Sequence, residues 1–181
     1  KNLLITGGCG FIGSNFINYF FHLDKNINII NYDAMYYCAN EMNINEEIRD
    51  SPWYKLVKGN LCSFDLVRYV LENNKIDTVI HFAAQSHVQN SFEDSLQYTN
   101  DNVVGTHTLL ECSRRYGQIE RFIHISTDEV YGESMLEENE EKKNEGSILC
   151  PTNPYAASKA GAELIARSYY HSFKMPIIVT R

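Results

Sequence analysis

Thr6-Gly7-Gly8-Cys9-Gly10-Phe11-Ile12-Gly13-Ser14 decides the reading of this chain. The apolar run 3–6 leads into it as a strand, and residues 11–23 follow with helical spacing. Glycines at 7, 10 and 13 permit a tight turn, close approach of a pyrophosphate to the backbone, and close helix–strand contact. The helix that opens at Phe11 offers free N–H groups and a partial positive charge to phosphate. Twenty residues after the last glycine, Asp33 ends the second apolar run, where a carboxylate accepts hydrogen bonds from ribose hydroxyls and repels a 2′-phosphate. The segment therefore implies a dinucleotide site that favours NAD over NADP, with Gly7, Gly10, Phe11, Ile12, Gly13 and Asp33 at the cofactor.

Working outward, short β-branched runs at 3–6, 27–32, 54–57, 78–82, 121–126 and 177–180 alternate with helical patterns at 11–23, 43–49, 63–72, 94–116 and 154–173. The runs are nearly continuous in apolar character, as strands covered on both faces are. Such alternation implies right-handed β-α-β units and hence an α/β fold with a doubly wound parallel sheet. A length of 181 residues with 44% hydrophobic residues fits one domain with a real core. A net charge of −7 argues against a nucleic-acid surface. Between 133 and 145 six Glu stand against Lys142 and Lys143, which reads as a solvated loop.

Tyr155 and Lys159 lie four apart and so share a helix face, with Asn153 as N-cap and Pro154 in the first turn. A phenol is a poor base at neutral pH. A nearby ammonium and a positive nicotinamide ring are expected to lower its pKa. Asp128 and Glu129 follow the fifth strand, at the sheet end where open α/β folds bind ligands. A paired acid and base suits elimination of water: one carboxyl protonates a leaving hydroxyl while the other takes a proton from the neighbouring carbon.

Together, G-x-x-G-x-x-G at 7–13, S-T-D-E-V-Y-G at 126–132, N-P-Y-A-A-S-K at 153–159 and A-A-Q-S-H-V at 83–88 resemble the extended short-chain dehydrogenase/reductase family, and within it the nucleotide-sugar 4,6-dehydratases. The resemblance spans essentially the whole chain and implies a Rossmann fold. It implies that NAD also meets Asn60, Leu61, Phe82, Ala83 and Ala84. Tyr155 would take the proton of the sugar 4-hydroxyl as C4 gives hydride to NAD, Thr127 would hydrogen-bond that oxygen, and Lys159 would bind the nicotinamide ribose. Glu129 would remove the C5 proton, Asp128 would protonate the departing 6-hydroxyl, and hydride would return to C6, converting dTDP- or UDP-glucose to a 4-keto-6-deoxy sugar. Ser86 would touch the substrate. The chain departs from the family pattern at Asn60 (usually Asp), Gln85 (often Glu), Gln89-Asn90 (often Asp-Arg) and Asp101 (commonly Thr). An NAD-dependent epimerase, or a dinucleotide-binding module without catalysis, is the alternative reading.

The five cysteines are odd in number and lack a C-x-x-C pair, which suits reduced thiols and a cytoplasmic protein. No His pair has metal-ligand spacing, so no metal is expected. Residues 1–181 are expected to form the NAD-binding domain, with a nucleotide-sugar-gripping domain after residue 181 and little turnover without it. The patterns at 94–116 and 154–173 carry more apolar positions than one buried face needs (Leu109, Leu110, Leu164, Ile165, Tyr169, Tyr170, Phe173). Family members pair these helices across a dyad, which implies a homodimer.

Overall fold

The structure is a computed structural model and describes residues 1–23, 26–134 and 142–181. Six parallel strands, β1 (Asn2–Thr6), β2 (Asn28–Asp33), β3 (Tyr54–Lys58), β4 (Thr78–His81), β5 (Arg121–Ile125) and β6 (Ile177–Thr180), form one sheet in the order β3-β2-β1-β4-β5-β6. The doubly wound parallel sheet expected from the sequence is present. Strand order reverses between β1 and β4, where Thr6 pairs with His81, and the crevice outside the strand carboxyl ends opens at such a reversal.

Side chains alternate along the strands and feed two cores. Leu4, Ile30, Val79 and Phe122 pack with Val67 and Leu71 of α3 (Phe64–Asn73), Leu109 and Leu110 of α6 (Gly105–Tyr116), and Ala166 and Tyr169 of α7 (Pro154–Phe173). Leu3, Ile5, Ile29 and Ile80 pack on the other face against Ile17 of α1 (Phe11–Phe20) and Ile48 of α2 (Glu46–Arg49). α6 ends on Gly117 at φ 73°, the left-handed position where glycine carries no Cβ strain.

Three expectations change. The helix expected at 94–116 is broken into α5 (Ser95–Tyr98), a π-helical turn (Thr99–Val104) and α6, and α4 (Val88–Glu93) precedes them. The pattern at 43–49 resolves into a 3₁₀ turn (Glu41–Asn43) and α2. The apolar surplus on α6 and α7 also divides: Leu109, Leu110 and Tyr169 fill the core and Ile165 packs against it, whereas Leu164, Tyr170 and Phe173 are exposed. Leucine and tyrosine are apolar on either side of a helix, so composition alone could not separate the faces. Glu133, Lys142, Lys143 and Glu145 of the acidic run are exposed, while Glu137, Glu138, Glu140 and Glu141 lie outside the described residues. Among the described residues no helix is long and apolar enough to cross a membrane.

Candidate active site

The glycine turn works by exclusion. Gly7 has φ 70°, and a Cβ there would stand 2.6 Å from the Ala83 backbone. A Cβ on Gly13 would stand 2.4 Å from the Gly7 carbonyl oxygen. Such approaches are closed to any other residue, so strand, turn and helix close on one another only with glycine. Gly10 differs, because a Cβ there meets nothing nearer than Gly7 O at 3.4 Å. Among the described residues no side chain caps α1, and no acidic residue occupies its first turn, so its amino-terminal N–H groups stay available to an anion.

A cavity of about 340 Å³ opens over this turn. Gly7, Gly10, Phe11, Ile12, Gly13, Asp33, Asn60, Leu61, Phe82, Ala83, Ala84, Ser86, Tyr155 and Lys159 all line it. Asp33 is buried, and its carboxylate accepts from the Cys9 amide at 2.9 Å and the Met35 amide at 2.8 Å. The second bond holds Met35 at φ 58°, a left-handed conformation that turns the chain past the cavity. An amide-anchored carboxylate at the end of β2, beside an uncapped helix start, fits the ribose and pyrophosphate of a dinucleotide.

Asn60 is already engaged: its Oδ1 accepts from the Cys62 amide at 2.7 Å, and its Nδ2 donates to the Tyr36 hydroxyl at 2.7 Å and toward Asp101 at 3.4 Å. The other Asp101 oxygen accepts from Gln85 Nε2 at 2.9 Å. Tyr36, Gln85 and Asp101 also line the cavity. With Asn60 they form a polar wall; sequence reasoning singled out Asn60, Gln85 and Asp101 but missed Tyr36 and the bonds that join the four, because they are far apart in the chain and no spacing links them. Asn102 was missed too. Its buried side chain accepts from the Gln85 amide at 2.7 Å and donates to the Gln85 carbonyl at 2.9 Å and Ser158 Oγ at 2.8 Å. It thereby fastens the segment after β4 to the helix that carries Tyr155.

On α7, Asn153 Oδ1 accepts from the Ala156 amide at 2.8 Å, the expected N-cap, with Pro154 in the first turn. Tyr155 is buried with its ring edge toward Tyr98, 6.4 Å between centroids. Lys159 is buried as well, and its Nζ donates to the Ile125 carbonyl at 2.6 Å. Burial pushes the Lys159 ammonium down to about 8, with Glu163 acting in the opposite direction. The expectation that Tyr155 is lowered is reversed in the protein alone. Burial raises its pKa and the Glu129 and Asp128 charges add to that, while hydrogen bonding from Thr127 opposes it. The sequence pattern shows the nearby lysine but neither the burial nor the carboxylates.

Thr127, Asp128 and Glu129 do not line the cavity. They sit beside it, where Thr127 Oγ1 caps a 3₁₀ turn (Asp128–Tyr131) by accepting from the Glu129 amide at 3.3 Å. Asp128 is exposed and Glu129 half-buried, with one Glu129 oxygen accepting from Asn153 Nδ2 at 2.9 Å. Behind them Glu163 is fully buried and paired with Arg181, whose guanidinium also donates to the Tyr131 hydroxyl. Among the described residues no cluster of His, Cys, Asp and Glu could hold a metal ion.

A parallel sheet reversing over a glycine turn, with a tyrosine and lysine from one helix facing that turn, is the architecture of the extended short-chain dehydrogenase/reductase class. Within that class the chain belongs to the family described as GDP-mannose 4,6-dehydratase, which it matches over residues 4–181. A trifunctional UDP-glucose 4,6-dehydratase/UDP-4-keto-6-deoxy-D-glucose 3,5-epimerase/UDP-4-keto-L-rhamnose-reductase of Arabidopsis thaliana is 49% identical over 181 residues, 100% of this chain and 27% of that protein. A dTDP-D-glucose 4,6-dehydratase of Dictyostelium discoideum is 46% identical over 188 residues, 100% of this chain and 43% of that protein. A dTDP-glucose 4,6-dehydratase of Streptomyces venezuelae, solved with NAD bound, superposes at TM-score 0.91 and 36% identity, covering 100% of this chain and 55% of that one. The chain thus spans about half the length of these relatives, or less.

Proposed function

We propose that this chain is the NAD-binding, catalytic-group-bearing domain of a nucleotide-sugar 4,6-dehydratase acting on dTDP- or UDP-glucose. The observation that carries the reading is that Tyr155 and Lys159 line the cavity while Thr127, Asp128 and Glu129, beside it, all act on the Tyr155 phenol. Bound over the glycine turn, NAD would supply the hydride acceptor for C4 and the donor for C6. Gly10, Phe11, Ile12 and Gly13 would hold its pyrophosphate, Asp33 its adenosine ribose, and Lys159 its nicotinamide ribose. The wall of Asn60, Leu61 and Asp101 would flank the adenine, with Phe82, Ala83 and Ala84 forming the floor.

Tyr155 takes the proton of the sugar 4-hydroxyl, and Thr127 hydrogen-bonds the same oxygen. A phenol raised by burial is a weak base until a positive charge arrives, so proton removal is tied to cofactor occupancy. The 4-ketone acidifies the C5 proton, which Glu129 removes, while Asp128, the more exposed carboxyl, protonates the departing 6-hydroxyl. Ser86, on the cavity wall, would meet a substrate hydroxyl. The exposed apolar residues Leu164 and Tyr170 of α7 and Val104 beside α6 would meet their equivalents in a homodimer. The test is incubation of the full-length protein with NAD and either dTDP-glucose or UDP-glucose. A 4-keto-6-deoxy product supports the reading, an epimerised sugar replaces it with an epimerase, and cofactor binding without turnover leaves a binding module.

A further inference from the structure

Asn153 does two things at once. Its Oδ1 caps α7 at the Ala156 amide, 2.8 Å away, and its Nδ2 reaches back 24 residues to Glu129 Oε2 at 2.9 Å. The first task needs only an acceptor, and Ser, Thr, Asp and Asn all cap helices well. The second needs a donor on the same short side chain. Serine is too short for both, and aspartate would set a like charge against Glu129. Among the described residues Asn153 is the one side-chain donor bonded to the Glu129 carboxylate. The Glu129 main chain is held separately, by Thr127 Oγ1 at 3.3 Å. Tyr155 stands two residues beyond Asn153 in the turn that this cap fixes. One planar amide therefore sets the Glu129 carboxylate relative to the Tyr155 phenol.

We infer that Asn153 is a positioning residue that aims the Glu129 carboxylate at the substrate carbon next to the one served by Tyr155. The inference rests on the dehydration reading above. Oxidation at one carbon and proton removal at its neighbour require two groups held in fixed relation, and misplacing a reacting group by about 1 Å costs on the order of 10²-fold in rate. Asn153 supplies that relation without itself touching the reacting atoms.

The test uses the full-length protein and three changes: Asn153→Ser, Asn153→Asp and Glu129→Gln. Serine keeps the cap without adding charge, so the thermal melt of Asn153→Ser should stay near the unaltered protein, whereas Asn153→Asp keeps the cap but sets a charge against Glu129 and should melt lower. Turnover should fall about 10²-fold in kcat with KM little changed. The loss should fall on one step: exchange of the C5 proton with deuterated solvent slows, while first-turnover absorbance at 340 nm from C4 oxidation still develops and then persists. Combining Asn153→Ser with Glu129→Gln should cost little more than Glu129→Gln alone, because the amide acts through that carboxylate. Undiminished turnover in Asn153→Ser, equal loss in both steps, or additive losses in the double variant would overturn the inference while leaving the dehydration reading intact. An inert Glu129→Gln would overturn both.

Discussion

Lowering the pH from 7 to 5 should cost this fold about 2 kcal/mol through a single buried ring, His81. The imidazole is buried at the end of β4, with Nδ1 2.6 Å from Thr6 Oγ1 and Nε2 2.8 Å from Thr106 Oγ1. A neutral ring, one nitrogen donating and the other accepting, satisfies both hydroxyls. Burial, with Lys159 nearby, pushes its pKa down from the ordinary 6.5 to about 3. The unfolded chain therefore binds a proton that the fold refuses. Stability is complete above pH 6.5 and falls as pH drops toward 3, by up to about 1.4 kcal/mol per pH unit. His124 adds to the same slope: it is buried with its ring 5.3 Å from that of His81, burial lowers its pKa, and among the described residues neither of its ring nitrogens has a partner. Urea unfolding at pH 7, 6 and 5 measures the slope directly. Replacing His81 with Gln should remove about 2 kcal/mol of the difference between pH 7 and 5, whatever it does to stability at pH 7. A flat profile in the unaltered protein, or an unchanged slope in His81→Gln, would refute the reasoning.

Other expectations concern the site and the surface. Gly13→Ala drives a Cβ to 2.4 Å from Gly7 O and 2.8 Å from Gly8 Cα, both backbone, and should destabilise the fold by about 1–3 kcal/mol in a denaturant melt. Gly10→Ala has room within the protein but lines the cavity, so calorimetric titration should show weakened NAD binding with an unchanged melt. Asp128→Asn and Glu129→Gln should leave that titration intact and reduce dehydration about 10²–10⁴-fold, read from product formation. Light scattering at micromolar concentration should report a dimer, and Leu164→Glu with Tyr170→Glu should convert it to monomer, since both side chains are exposed on α7.

The sheet was legible because its evidence is local. Each strand is a short apolar run, and Gly7, Gly13 and Asp33 fall at the offsets that turn, helix and ribose require. Tyr155, Lys159 and the Asn153 cap were legible for the same reason, since spacing along a helix is spacing on its face. What escaped was assembled across the chain. Asp101 reaches the cavity beside Tyr36, Asn60 and Gln85, and Asn102 straps the Gln85 backbone to Ser158. The direction of the Tyr155 shift escaped because it depends on burial and on carboxylates of the 3₁₀ turn, more than twenty residues back in the chain. The break between α5 and α6 escaped because a π turn carries no marker residue.

That π turn makes residue count itself a structural determinant. Thr99–Val104 winds wider than the helices on either side, and both Asp101 and Asn102 are spent inward from it, one to the cavity wall and the other to the strap. An α-helix advances about 100° per residue, so two adjacent side chains there diverge too far to serve neighbouring tasks easily. Deleting Val103 or Val104 would restore ordinary winding and swing everything before the gap, Asn102 included, by about 100° against α6. Asn102 would leave the Gln85 amide and carbonyl, which it satisfies at 2.7 and 2.9 Å. A substitution here alters one contact; a shortened turn would re-aim a whole wall of the cavity while leaving every remaining side chain chemically unchanged.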